Sequence, residues 1–183
     1  MRRLRIFLAR VGVRPPFYPV TTVPLGLMYL AAHARDRLGA EVRIFDQRLR
    51  NTSDAQVVRA AVEFGADVVG LSVITPTALH AYRISALARR ALPDALVVMG
   101  GPHVTSLGLD ALRKSSANAA IIGEGEVAFE HLLQAWGKTK DLGKLPGLLW
   151  RSDDGAVHQN PGAVPYLEDL DRLSMPAYDL VDM

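Results

Sequence analysis

Val68-Val69-Gly70-Leu71-Ser72, then Thr75-Pro76 opening a helical stretch to Ala91, then Leu96-Val97-Val98-Met99 running into Gly100-Gly101-Pro102-His103, is the stretch that decides the fold. Two short apolar, β-branched runs flank one longer helical segment. Thr75 is placed to cap that helix, Pro76 suits its first turn, and Pro93 breaks it before the second run. Runs joined in this way predict parallel strands connected by a crossover helix.

The alternation continues outward on both sides. Upstream, Leu4 to Ala9 reads as a strand. Pro24 to Leu38 reads as a helix with apolar Leu27, Leu30, Ala31, Ala34 and Leu38, with Thr22 or Val23 near its cap, and Glu41 to Phe45 reads as a second strand. Ser53-Asp54-Ala55-Gln56 is a capping box opening a helix to Phe64, with Gly65 where a left-handed C-terminal residue belongs. Downstream, Leu107 to Lys114 is expected as a helix and Ala119 to Ile122 as a fifth strand. Glu126 to Trp136 is expected as an amphipathic helix turning Phe129, Leu132, Leu133 and Trp136 inward.

The expected fold is therefore α/β: a flavodoxin-like, doubly wound, five-stranded parallel sheet with helices on both faces, over residues 1–138. After Lys138 the composition changes. Leu148 to Trp150 and Ala156 to His158 around Asp154-Gly155 read as a small hairpin with a type I′ turn, appended to the domain. From Pro161 the chain is rich in Pro and Asp with spaced Leu167, Leu170, Leu173 and Leu180, and residues 139–183 together read as a hairpin appendage and a linker toward a further domain.

Bulk composition narrows the function. At 183 residues with 49% hydrophobic content the chain can bury a full core. With 21 Lys and Arg against 19 Asp and Glu, the net charge of +2 leaves no broad cationic face for a nucleic acid. The absence of cysteine excludes a disulfide framework, a thiolate zinc site and a cysteine-ligated iron–sulfur cluster within this stretch, and suggests a cytoplasmic setting. The apolar run Leu4 to Ala9 is interrupted by Arg5 and is too short for a signal peptide or a membrane span.

In an open parallel sheet, ligands bind outside the carboxyl ends of the strands. The loops there would be Val11 to Val23 with its Pro15-Pro16-Phe17-Tyr18-Pro19 run, Ser72 to Thr75, Gly100 to His103, and Gly123-Glu124-Gly125-Glu126. No GxGxxG follows the first strand, so Asp46 lacks the phosphate half of a dinucleotide site; no GxxxxGK[ST] is present, and no acidic residue follows the first strand as a phospho-accepting receiver needs. His33, His80, His103, His131 and His158 show no metal-ligand spacing, and Glu124 and Glu126 read as carboxylates favoured at a helix N-terminus. No complete catalytic constellation is visible.

Taken together, the strand-end residues resemble the cobalamin-binding domain at the N-terminus of cobalamin-dependent radical S-adenosylmethionine enzymes. Ser72-Val73-Ile74 and Gly100-Gly101 are similar to that family's second and third signature elements, and Pro24 to Leu30, Gly100-Gly101-Pro102-His103, Gly123-Glu124-Gly125-Glu126 and Leu170 to Tyr178 are similar to the variant fused to the radical domain. The resemblance implies cobalamin as cofactor. It implies contacts to it from Ser72, Val73, Thr75, Gly100, Gly101, Pro102, His103, Gly123, Glu124 and Gly125, with Gly100 and Gly101 clearing a channel for the nucleotide tail and Pro102 and His103 lining the same slot. It also puts Thr21 and Val23 where the family's Asp and cobalt-ligating His stand, which implies base-off binding with no protein histidine beneath the cobalt. The iron–sulfur cluster and S-adenosylmethionine would belong to a C-terminal radical S-adenosylmethionine domain downstream of Met183, without which the chain alone would not catalyse methyl transfer, rearrangement or cyclisation. A second reading is a vestigial domain of the same fold that has lost cobalamin and serves as an interaction or substrate-recognition wall. A third, a free-standing α/β enzyme or flavin carrier, needs a Ser/Thr/Gly-rich phosphate loop, and Val11 to Arg14 offers only one glycine.

Overall fold

The computed structural model describes residues 3–12, 22–138 and 141–181. Five strands are parallel: β1 (Arg5–Arg10), β2 (Glu41–Asp46), β3 (Val68–Ser72), β4 (Leu96–Gly100) and β5 (Ala119–Ala120). They lie in the order β2-β1-β3-β4-β5, which reverses direction between β1 and β3 and makes that pair the switch point of a doubly wound sheet.

Two further strands correct the expectation of five. β6 (Leu149–Arg151) pairs antiparallel with β5, and β7 (Val157–Gln159) with β6, so the hairpin extends the sheet to seven strands. Leu149 is fully buried, and Arg151 ties the hairpin to the parallel core by donating to the carbonyls of Leu112, Ser115 and Ala117. Asn160, itself buried, donates to the carbonyls of Leu142 and Leu145 and accepts from Trp150 Nε1 at 2.8 Å, fixing the chain that leads into β6. Asp154 does not adopt the positive φ that a type I′ turn requires; Gly155 alone does, at +88°, closing a longer loop through its amide to the Ser152 carbonyl. The segment beyond Pro161 also returns to the core: Ala177 is 1% exposed, its amide donates to the Met28 carbonyl, and Arg35 holds Asp179 through two hydrogen bonds of 2.6 and 3.1 Å.

Helices cover both faces. One face carries α1 (Leu25–Leu38) and α7 (Glu126–Lys138); the other carries α3 (Asp54–Phe64) and α4 (Ala78–Ala91), with α5 (Pro102–Leu107) and α6 (Leu109–Lys114) at its end. The capping box of Ser53 and Gln56 forms as read, and Gly65 ends α3 in the left-handed region. Pro24 is the N-cap of α1 rather than a residue of its first turn. The single helix expected over Leu107 to Lys114 is instead the pair α5 and α6, broken at Gly108, whose φ of 54° and ψ of −125° suit only glycine. Thr75 to Thr77 form a 3₁₀ turn before α4, and Thr75 caps no helix amide. A short helix not foreseen, α2 (Gln47–Arg50), follows β2 and is capped by Asp46, whose carboxylate accepts from the Leu49 amide and pairs with Arg10 at 3.2 Å. Among the described residues no helix is long and apolar enough to cross a membrane.

Candidate cofactor-binding site

Side chains alternate along a strand, so one stretch of β3 serves two faces. Val69, Leu71 and, just past the strand, Val73 join the core under α3 and α4, which leaves Gly70 and Ser72 on the side of α1 and α7 with their β4 neighbours Val98 and Gly100. Gly70 is the decisive residue. A Cβ built on it would sit 2.6 Å from Leu8 Cδ2, so the missing side chain is what lets Leu8 lie across the strand as the floor of the space. Gly100 widens the same space toward the strand ends, where a Cβ would meet nothing closer than the Ile121 carbonyl at 3.7 Å.

The result is a cavity of about 220 Å³ between the sheet and the α1–α7 pair, lined deep down by Leu8, Gly70, Val98 and Phe129 and nearer the mouth by Ser72 and Gly100. It opens at the carboxyl ends of β3, β4 and β5, where the physics of strand ends and helix N-termini places ligands. Pockets that enclose a whole small-molecule ligand measure roughly 300 to 1,000 Å³. This one is smaller, so it suits one arm of a large ligand whose bulk lies over the strand ends.

The cavity takes in some of the residues expected from sequence and leaves others out. Ser72, Gly100, Gly101, Gly123, Glu124 and Gly125 line it. The Ser72 hydroxyl faces in with no protein partner among the described residues. Gly101 lines the cavity, but its missing Cβ serves the main chain: at φ 98° a Cβ would lie 2.9 Å from the Val73 carbonyl oxygen. Val73 is fully buried on the opposite face. Pro102 and His103 do not share the slot. The His103 ring is buried toward α4, with Nε2 2.8 Å from the Tyr82 hydroxyl and Nδ1 3.3 Å from Thr75 Oγ1, and burial pushes its pKa below the ordinary histidine value. Val23 is 40% exposed just ahead of α1 and does not line the cavity; Thr21 lies outside the described residues.

Gly70 and the floor residue Leu8 are among the lining residues that the sequence reading did not single out. The signal for Gly70 was available, since a lone glycine inside a buried β-branched strand weakens it unless another group must come close. None of the five histidines, all among the described residues, lines the cavity: His33 pairs with Glu130 at 2.8 Å, His80 with Asp54 at 2.8 Å, and His158 stacks on Trp150. No group of three or more metal-ligating side chains occurs among the described residues.

A doubly wound sheet with a glycine-lined slot at the carboxyl ends of its strands has the architecture in which such sheets bind ligands. The chain belongs to the B12-binding domain family, whose pattern matches residues 18–133. It is 32% identical over 164 residues to an uncharacterized methyltransferase of Pyrococcus horikoshii, covering 89% of this chain and 35% of that protein. It is 30% identical over 155 residues to the anaerobic magnesium-protoporphyrin IX monomethyl ester cyclase of Rubrivivax gelatinosus, covering 82% of this chain and 28% of the cyclase. The solved structure of the cobalamin-dependent S-adenosylmethionine radical enzyme OxsB, with aqua-cobalamin and S-adenosylmethionine bound, superposes over 97% of this chain and 24% of that one with a TM-score of 0.83 at 18% identity. The chain thus spans about a third or less of the length of these relatives.

Proposed function

We propose that this chain is the cobalamin-carrying module of a radical S-adenosylmethionine enzyme, holding cobalamin base-off with its nucleotide tail in the α1–α7 cavity and with no protein histidine on the lower cobalt face. The observation that carries the reading is the cavity itself: a slot opened by Gly70 and Gly100, with the unpartnered Ser72 hydroxyl turned into it. The sequence has no histidine before His33, so the loop after β1 has no imidazole to offer. Ser72 would donate to the displaced base, Gly70 and Gly100 leave room for it, and the backbone amides of Glu124 and Gly125 just ahead of α7 would face a ribose or an amide arm of the ring. When bound, cobalamin supplies the redox and alkyl-transfer chemistry of cobalt; the cluster and S-adenosylmethionine would come from a C-terminal partner domain, for methyl transfer, rearrangement or cyclisation.

The test is to incubate the purified chain with hydroxocobalamin, desalt it, and record the visible spectrum before and after reduction. Stoichiometric corrin with a base-off spectrum is expected. Gly100→Leu, whose Cβ makes only an ordinary contact with the Ile121 carbonyl but whose side chain fills the slot, should keep the circular dichroism of the parent and lose the corrin. A colourless parent chain would overturn the proposal and leave the fold as an interaction wall.

A further inference from the structure

The wall of the cavity is sorted by polarity. Its deep part is made by Leu8, Leu27, Val98, Ile121 and Phe129, all members of one buried apolar cluster. The backbone is largely used up as well: Gly70 lies inside the ladders of β3 with β1 and β4, the Gly100 carbonyl accepts from the Val73 amide at 2.9 Å, and the Gly101 and Gly125 carbonyls accept from Thr105 and Phe129. The Gly123 amide is bound to Thr105 Oγ1. Among the described residues Ser72 is the one lining residue with an uncharged polar side chain, and the carboxylates Glu124 and Glu126 stand at the start of α7, one exposed and one half-buried.

We infer that this cavity selects among cobamides by the polarity of the lower base, accepting an apolar benzimidazole or phenol base with at most one acceptor and rejecting a purine. The inference rests on the cobalamin reading above. A dimethylbenzimidazole released from cobalt has one free ring nitrogen, and the Ser72 hydroxyl can donate one hydrogen bond to it; the rest of that base meets leucine, valine and phenylalanine side chains. Adenine in the same place presents an exocyclic amine and further ring nitrogens where the six-membered ring of the benzimidazole carries only carbon and hydrogen. Against the apolar deep wall each such group loses water and finds no partner among the described residues, and one unpaired buried polar group weakens binding about tenfold or more.

The experiment is a spectral titration of this chain with cobalamin and with its adeninyl and p-cresolyl analogues. All are held in the cobalt(I) state, where no lower base is coordinated and displacement drops out of the comparison. Cobalamin and the cresolyl form should bind within about fivefold of each other, and the adeninyl form about tenfold or more weaker. Ser72→Ala, a change too small to disturb the fold, should weaken cobalamin roughly threefold to tenfold and leave the cresolyl form, which has no ring nitrogen, unchanged. Adeninyl binding as tight as cobalamin would overturn the inference, as would an equal loss of both apolar-base forms in Ser72→Ala. Retention of none of the three would bring down the cobalamin reading itself, a result distinct from loss of selectivity.

Discussion

The two faces of β3 and β4 differ in what they leave unfilled. Toward α3 and α4 they present Val69, Leu71, Val97 and Met99, each at most 2% exposed, and the side chains there close the core. Toward α1 and α7 the same strands present Val68 and Leu96 at their N-terminal ends, but then Gly70, Ser72 and Gly100, and the core gives way to a cavity. A strand's two-residue period lets one backbone segment be structural on one side and receptive on the other. The lesson is that a binding slot can be placed in a sheet without weakening its ladders, by thinning a single face near the carboxyl ends.

The contrast can be broken hardest from the closed side. Leu71→Ala removes a filled position and should destabilise the chain by about 2–5 kcal/mol in chemical denaturation, while cobalamin retention at low temperature persists in the folded fraction. Gly101→Ala, at the seam between the faces, forces a Cβ to 2.9 Å from the Val73 carbonyl at a φ of 98° and should cost about 1–3 kcal/mol, measured the same way. A gentler effect belongs to His103 on the closed side. Because burial lowers its folded pKa, the unfolded chain binds the proton more readily, so stability holds above pH about 6.5 and declines as the pH falls through and below that value. Denaturation curves from pH 8 down should show a shallower acid decline in His103→Gln; an unchanged decline would assign it to other groups. The smallest effect is a gain on the open side: Gly26→Ala, whose Cβ meets nothing within 4 Å in the first turn of α1, should raise stability by about 0.5–1 kcal/mol.

The parallel half of the molecule was legible because its signals are local. Capping box, helix-ending glycine, strand-breaking proline and the βα alternation each fix an element from a few residues, and the five parallel strands sit where that alternation put them. The hairpin's place was not legible, since pairing of β5 with β6 joins Ala119 to Trp150 and depends on tertiary contacts that no local pattern encodes. The helix expected over Leu107 to Lys114 failed at Gly108, whose backbone conformation overrides the propensity of its neighbours. At the site, Ser72 and Gly100 followed from their position at strand ends. His103 follows a crevice glycine in sequence, but its ring is turned toward Tyr82, an orientation set by a tertiary contact that no local pattern encodes. Gly70 was missed although a lone glycine within a buried β-branched strand is itself a sign that another group comes close.

Arg151 and Asn160 have a consequence for how the chain matures. The carbonyls of Leu112, Ser115 and Ala117 that Arg151 satisfies, and those of Leu142 and Leu145 that Asn160 satisfies, belong to segments made earlier in translation. A nascent polypeptide that has emerged only as far as α7 therefore carries an open β5 edge and uncapped carbonyls beside it. Those exposed groups invite pairing with the wrong strand until some twenty further residues clear the ribosome.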